Sequence, residues 1–363
     1  MSIVLVVFGH VFPPPLGASI AVVRMPFFFF LSGYIFKPRP WPEFLWSRGN
    51  SLIVPYFAYL ISIVAIEYSV SQWAATGDRF IEQPPLILLR ELVKGGSHLD
   101  GYVGALWFLS TLFFTLMAFN WLLLRGAGRS GFSPASRYVA LPVMTLLAIG
   151  FALRSHQIYY GIGIAPVALF FVWAGSAFRV TAVPEWLWAP ALLALVAAVV
   201  AGLAVYPDYR FDMRLATYGL PVVSLIGSIG GCYVLVLVCK ALAHVEGIRA
   251  VFSSLGQNSI AIMALHLSVA IPAQRLAQIP APVTFFLAII LPYLFALLLR
   301  QGPRLPQWLF LGLPPRQPAA LQAWISTHQR SESVQDDQPG SRASLSRSPM
   351  TTVSAPPFES SRN

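Results

Sequence analysis

Two histidines and one arginine lie within apolar stretches of this sequence. His10 ends the first apolar run, Arg24 begins the second, and His266 lies deep within a later one. A neutral imidazole near pH 7 can accept the proton of a hydroxyl group, as a general base must in acyl transfer to oxygen. Arg24 could stabilise negative charge on a carbonyl oxygen or on an acceptor. Ionisable groups inside lipid are candidates for a functional site, so we predict that His10 and Arg24 are catalytic.

Further polar and aromatic residues are candidates for substrate binding. Ser259 and His266 are seven residues apart and therefore share one helix face, with Asn258 beside them. Such a stripe on an apolar helix lines a protein contact or a water-filled cavity. We predict that Asn258, Ser259 and His266 line one wall of the site, and that Trp107 and the four phenylalanines at 27–30 shape the rest. The alternative is that each histidine only hydrogen-bonds a neighbouring helix.

A polar and basic segment follows these phenylalanines. Ser32 is a candidate for substrate binding, although the Ser-Gly pair that it forms also suits a close contact between helices. Lys37, Arg39 and Arg48 come next and could pair with the phosphates of a nucleotide-containing substrate. The alternative is that these cations only anchor the chain at the cytoplasmic membrane surface.

Composition identifies the class of protein that must hold these groups. Hydrophobic residues make up 56% of the 363 residues and charged residues only 10%, against about 25% charged in an average soluble domain. Long apolar blocks without sustained alternation favour helices over a barrel. We predict an all-α membrane bundle of about ten transmembrane helices, at 1–12, 20–36, 51–69, 103–124, 139–153, 162–179, 187–205, 218–239, 257–272 and 281–299.

The distribution of charge predicts the orientation of this bundle. The net charge is +10, but the basic residues lie mostly in short connections, which argues against nucleic acid as a partner. More of them follow the even-numbered spans than the odd-numbered ones, so we expect both termini in the cytoplasm. Cys232 and Cys239 lie within one span and are read as apolar packing residues, so we predict no metal site.

The two ends of the chain differ from the apolar middle. We assign residues 1–314 to the transmembrane domain and residues 315–363, rich in Ser, Pro, Gln and Arg, to a disordered tail. Three prolines at 13–15 end the first span after about eleven residues, which covers roughly half of the hydrocarbon thickness. We therefore expect that the true start lies upstream of Met1, or that this helix enters the membrane only partway.

Five motifs in order carry a resemblance to a known family. They are VVFGH at 6–10, RMPFFFFLSGYIF at 24–36, LIVPYF at 52–57, LWFLSTLF at 106–113 and LGQNSIAIMALH at 255–266. Together they resemble acyltransferase family 3 of bacterial membrane proteins, with its fucose 4-O-acetylase-like branch the nearest. The resemblance covers approximately residues 1–300 and excludes the tail.

The resemblance implies a ten-helix enzyme of the bacterial inner membrane. Such an enzyme moves an acetyl or similar short acyl group from cytoplasmic acyl-CoA to a hydroxyl of a sugar or surface glycan, with acyl-CoA as co-substrate and no bound cofactor. The family's essential first-span histidine matches His10. Its arginine eleven residues earlier falls before Met1, and its histidine before Met-Pro is replaced here by Arg24.

Two other functions are compatible with the same residues. A transporter or flippase for a glycan or lipid-linked intermediate would use the buried polar groups as a pathway, but should show internal repeats and broken helices. A family member without the first-span arginine could also be non-catalytic. The expected partners are membrane lipids, the acyl-CoA donor and the carbohydrate acceptor.

Overall fold

The architecture is that of a helical membrane protein, as predicted. The computed structural model describes residues 1–12, 17, 20–74, 83–126, 135–152, 159–181, 184–205, 211–314, 318, 319 and 322. Within these ranges helices dominate, and strand is confined to one short hairpin. Apart from three isolated positions, the tail predicted for residues 315–363 lies outside the described residues.

The described residues of the first half of the chain form seven α-helices, two of which follow one another almost without a break. A π-helical turn at Gly49–Ile53 joins α3 to α4, and short 3-10 helices at Gly96–His98 and Gly101–Leu106 lead into α6. The bounds are α1 Ser2–Val11, α2 Ala21–Tyr34, α3 Trp41–Arg48, α4 Val54–Ala74, α5 Pro85–Lys94, α6 Trp107–Gly126 and α7 Ala135–Ala152.

In the second half, the part of the chain that the structure describes forms seven more α-helices and the hairpin. The hairpin lies between α9 and α10 and pairs β1 (Phe211–Asp212) with antiparallel β2 (Thr217–Tyr218). The bounds of the helices are α8 Ala165–Val180, α9 Trp188–Val205, α10 Pro221–Leu242, α11 Glu246–Gln257, α12 Ser259–Arg275, α13 Ala281–Gln301 and α14 Arg304–Leu311.

The described residues account for five or six complete spans of the ten predicted. Among the described residues, five helices are long and apolar enough to cross a membrane, and six if α11 and α12, bent by 78°, form one span. Four other apolar helices fall short of that length, at Ser2–Val11, Ala21–Tyr34, Val139–Phe151 and Trp188–Val200. A helix of ten residues extends only about 15 Å, half of the hydrocarbon thickness. The chain is a multi-pass integral membrane protein, but the count of ten is not confirmed.

Glycines allow α2 and α8 to pack closely at the centre of the bundle. A Cβ at Gly33 would collide with the backbone of Val172, and a Cβ at Gly175 would collide with the backbone of Phe30. Small residues at membrane helix contacts let backbones approach in this way. The Ser228 hydroxyl of α10 also donates to the Val22 carbonyl of α2 at 2.6 Å. These contacts hold α2, which carries Arg24, in the middle of the protein.

The hairpin and the segment before α6 lie at the end of the bundle where α2 begins. Phe211, Met213 and Tyr218 of the hairpin region are buried in the core. In α5, the Glu91 carboxylate accepts from Lys94 Nζ and contacts His98 Nδ1, both at 2.9 Å. Burial raises the pKa of Glu91, but the bonds and charges of Lys94 and His98 outweigh it, and the pKa lies below its usual value. These pairs fasten the turn that leads to Asp100.

Candidate active site

His10 and His266 meet inside the bundle. Their ring centroids are 5.2 Å apart, with the ring planes inclined by 47°. The contact follows from packing, because α1 lies against α2, α12 and α13. His266 is fully buried, whereas the ring of His10 is exposed. The contact turns one side of the His10 ring toward the buried ring of His266, while His10 as a whole is exposed.

Backbone contacts determine the tautomer of His266. Its Nδ1 lies 3.0 Å from the Ile262 carbonyl oxygen and 2.9 Å from that of Met263. A carbonyl oxygen only accepts, so Nδ1 carries the hydrogen and the neutral ring keeps its lone pair on Nε2. Nε2 is buried and has no hydrogen-bond partner within the described part of the chain. A buried acceptor of this kind is costly to leave unpaired, which marks His266 as part of a site.

Arg24 lies directly against α1, beside His10. Its guanidinium occupies the space that a Cβ at Gly9 would need, so the glycine permits the contact. Arg24 Nη1 is buried and, among the described residues, lacks a hydrogen-bond partner. Gly9 directly precedes His10, whose ring lies 5.2 Å from that of His266. The structure therefore brings His10, Arg24 and His266 together into one group, here called the histidine cluster.

Charged residues that the sequence did not single out as a site join the hairpin to the segment before α6. Arg214 Nη1 donates to Asp100 Oδ1 at 3.1 Å and to the Leu99 carbonyl oxygen at 3.2 Å. Asp212 Oδ1 accepts the backbone N–H of Arg214 at 2.9 Å and that of Leu215 at 3.3 Å. Charged residues are rare in this chain, so the sequence could have marked Asp100, Asp212 and Arg214 as candidates. No local sequence pattern, however, predicts that Asp100 pairs with Arg214 of the hairpin region.

The basic segment lies far from the histidine cluster. Lys37 follows Arg24 by thirteen residues along α2 and the turn after it, which corresponds to about 20 Å of helix. Lys37 is exposed, and Arg39 is exposed with an ion pair to Glu43 at 3.2 Å. The guanidinium of half-buried Arg48 stacks over the Phe44 ring at 5.5 Å. The three cations thus share the opposite end of the bundle.

Asn258 and Ser259 belong to that basic end as well. Asn258 Oδ1 accepts from Arg300 Nε at 2.8 Å, while its Nδ2 donates to the Ser254 carbonyl oxygen at 2.9 Å. Arg300 Nη2 also donates to the Gln257 carbonyl oxygen at 3.1 Å. These bonds fasten the bend between α11 and α12 to α13. Ser259 is half-buried at the first turn of α12, about 10 Å along the helix from His266.

Trp107, Phe28 and Phe29 form one aromatic wall around the ring of Phe108. Trp107 is buried and packs edge-on against Phe108 at 6.2 Å between ring centroids. Phe28 and Phe29 contact the same Phe108 ring at 4.7 and 5.1 Å. Ser32, one turn further, donates its hydroxyl to the Phe28 carbonyl oxygen of its own helix at 2.9 Å. Of these candidates, Trp107 lies in the aromatic core, and Ser32 has its donor occupied.

The contact between Gly9 and Arg24 leads to a first prediction. Replacing Gly9 with Ala adds a Cβ that the flexible end of the Arg24 side chain must avoid, so we expect the fold to persist while the guanidinium moves. A displacement of about 1 Å can cost on the order of a hundredfold in rate. We therefore expect a loss of between tenfold and a hundredfold in turnover, with thermal stability unchanged.

The matched control for this variant is Gly256→Ala. That glycine is also helical and has nothing within 4 Å of a built Cβ, so it makes the same chemical change without the collision. Turnover by purified, detergent-solubilised protein is the measurement. Equal turnover by the two variants would show that the position of Arg24 is unimportant.

Comparison with known proteins is informative at the level of the family. A family model described as an acyltransferase domain matches residues 1–301. No curated protein and no solved structure matches the chain. The matched range includes the histidine cluster, the hairpin and the basic end, so every candidate residue described above falls within it.

Proposed function

The chain belongs to acyltransferase family 3, and we propose that it transfers an acetyl or similar short acyl group from acyl-CoA to a hydroxyl of a sugar or surface glycan. The observation that carries this proposal is the pairing of an exposed imidazole with a buried one beside an unpartnered guanidinium. These are the groups that acyl transfer to oxygen needs: a base, a support for the base and a cation for the developing negative charge.

In the proposed reaction, His10 accepts the proton of the acceptor hydroxyl while the hydroxyl oxygen attacks the thioester carbonyl carbon. A C–O bond forms, and the carbonyl electrons move onto the oxygen. Arg24 stabilises this oxyanion through Nη1. The intermediate then collapses, the C–S bond breaks, and the proton held by His10 passes to the departing thiolate. The products are the O-acyl ester and free CoA, and His10 is again neutral.

In this reaction His266 acts on the side of the His10 ring away from the acceptor. Its Nε2 lone pair can accept an N–H from His10, which orients the His10 ring and stabilises the imidazolium that forms. The same arrangement of a buried acceptor behind a base operates in hydrolytic triads. Because His266 is fully buried and His10 is exposed, we assign the direct contact with the acceptor to His10.

We place the donor nucleotide at the basic end, which by its charge faces the cytoplasm of a bacterial inner membrane. Lys37, Arg39 and Arg48 supply cations for the phosphates of CoA. About 20 Å separates this end from Arg24 along α2, so the pantetheine arm must extend between helices to bring the thioester to His10. The aromatic wall around Trp107 would shape that path.

The test is transfer of label by the purified protein. The protein is reconstituted into liposomes with radiolabelled acetyl-CoA and the surface glycan of the producing cells. We expect labelled glycan whose mass increases by one acyl group, and the same increase in cells that carry the gene compared with cells that lack it. Mass spectrometry of the glycan measures both.

The controls separate this function from the alternatives. Liposomes without protein measure spontaneous acylation, and omission of the glycan measures hydrolysis of the donor. Movement of the glycan across the bilayer at unchanged mass would instead identify a flippase. A glycan that gains neither mass nor label under any of these conditions would contradict the proposed enzyme.

A further inference from the structure

A partly open cavity lies between the start of α1, the end of α10 and one face of α11. Its volume is about 290 Å³, near the lower end of the range for small-molecule sites. Met1, Cys239, Ile248 and Phe252 are among the residues that form its apolar walls. Met1 comes nine residues before His10, which corresponds to about 14 Å along α1. The cavity is therefore separate from the histidine cluster, and its walls suit a hydrocarbon group.

The helix α11 has the form of a helix that rests in a membrane interface. It meets α12 at 78°, so it runs across the end of α12 rather than along it. Ile248, Val251, Phe252 and Leu255 recur at helical spacing and form one apolar stripe, yet none of the twelve described residues of α11 is buried. Amphipathic helices of this kind lie at the boundary between lipid headgroups and acyl chains. The cavity beside α11 is thus at the depth of a phospholipid phosphate.

Positive charge lies at the opening of this cavity. Arg249 lines the cavity, and 63% of its side chain is exposed, so its guanidinium can reach a group outside. Lys240 is also exposed, in the last turn of α10. Glu246 is the only acidic residue of α11. Its ion pair with Arg249, at 3.7 Å and exposed on both sides, is of the weak surface kind, and a phosphate could replace it.

We propose that this cavity binds an anionic phospholipid, whose acyl chain covers the apolar walls and whose phosphate pairs with Arg249. Free phosphate would leave the walls facing water, and the choline of a zwitterionic lipid would cancel the attraction to the basic residues. The inference is independent of the proposed function. It gives a lipid contact to the start of α1, the helix that carries His10.

The two cysteines of the chain provide a direct test. Cys239 lines the cavity and is half-buried, whereas Cys232 is completely buried. Alkylation of Cys239 by N-ethylmaleimide should therefore report whether the cavity is open, while Cys232 is an unreactive internal reference. The rate of alkylation at each thiol is measured by mass spectrometry of peptides from the native, full-length protein.

The lipid is varied by placing the protein in nanodiscs. One set contains phosphatidylcholine alone, and the other contains equal parts of phosphatidylcholine and phosphatidylglycerol with the same acyl chains. We expect phosphatidylglycerol to slow alkylation of Cys239 by about fivefold or more, which is the effect of one basic residue near an anionic membrane surface.

Two substitutions should change this protection in opposite directions. Arg249→Gln removes the cation at the opening, so alkylation should be equally fast in both sets of nanodiscs. Glu246→Gln releases Arg249 from its ion pair, so the protection should increase. Arg304→Gln is the matched control, because it removes a cation from the exposed start of α14, and it should leave the protection at its native value.

A second thiol controls for the effect of membrane charge on reactivity. Ala250 is exposed on α11 and lies outside the set of described residues that line the cavity. In a protein with Cys239→Ser and Ala250→Cys, phosphatidylglycerol should not slow alkylation at position 250. Equal protection of the two positions would overturn the site, as would a Cys239 that reacts equally fast in both lipids or in neither. Protection of Cys239 by acetyl-CoA in phosphatidylcholine nanodiscs would instead assign the cavity to the donor and contradict the proposal. None of these measurements requires acyl transfer, so their outcome is distinct from that of the proposed function.

Discussion

Replacing His10 with Ala will lower acyl transfer by about 10²-fold to 10⁴-fold, the usual contribution of a general base. His10 is exposed and its ring centroid lies 5.2 Å from that of the buried His266. Alanine removes the ring that we propose His266 supports. Because the substitution truncates an exposed side chain, we expect the protein to be made and inserted normally. Transfer of label to glycan, per mole of purified protein, is the measurement.

The matched control is His244→Ala. His244 is exposed just after α10 and takes no part in the histidine cluster, so its loss should leave transfer unchanged. Size-exclusion behaviour in detergent verifies that both variants are folded. Glycan acylation by the His10 variant at the native rate would show that His10 is not the general base, and the proposed mechanism would be wrong.

Replacing Arg24 with Met will also lower transfer, by roughly 10²-fold to 10³-fold, the cost of losing one donor to an oxyanion. In contrast to most losses of a charged group in a core, we expect no loss of thermal stability. Nη1 of Arg24 is buried with no hydrogen-bond partner in the described structure. Burying a polar group without a hydrogen bond costs free energy, and an apolar side chain of similar volume avoids that cost. The site would thus trade stability for function.

Two measurements on the same preparation decide this prediction. Thermal unfolding by circular dichroism should give a midpoint at or above the native one, while label transfer falls. Arg24→Lys is the informative companion, because it keeps the charge but loses the planar fork of donors, and we expect it to recover only part of the activity. An Arg24→Met protein that unfolds early, or that transfers at more than a tenth of the native rate, contradicts the assigned role.

If both predictions hold, the two ends of the bundle have different roles in the same reaction. The basic end carries Lys37, Arg39 and Arg48, and the other end carries the histidine cluster with the hairpin beside it. The bonds of Asn258 to Arg300 and Ser254 then have a structural meaning, since they hold α12 in the place where His266 meets His10. Asn258 was predicted to line the substrate site, and its contacts describe a brace at the basic end.

The sequence by itself determined the class of the protein and several of its chemical groups. Hydropathy and charge are local properties, so a chain with 10% charged residues identifies its apolar helices, its basic connections and the rare ionisable residues within them. His10, Arg24 and His266 were found for that reason. The number of complete spans was less accessible, because α1 and α2 are apolar but shorter than a membrane-crossing helix.

Only the tertiary structure decided which of these groups meet. His10 and His266 come from opposite ends of the chain, and their contact depends on how α1 packs against α12. The tautomer of His266 follows from two carbonyls of its own helix, and Arg24 reaches His10 because Gly9 has no side chain. Asp212 and Arg214 belong to a hairpin region whose buried residues seat it beside α2. The physical reason is that packing between distant segments, which no local pattern encodes, sets the distances between charges on which the chemistry depends.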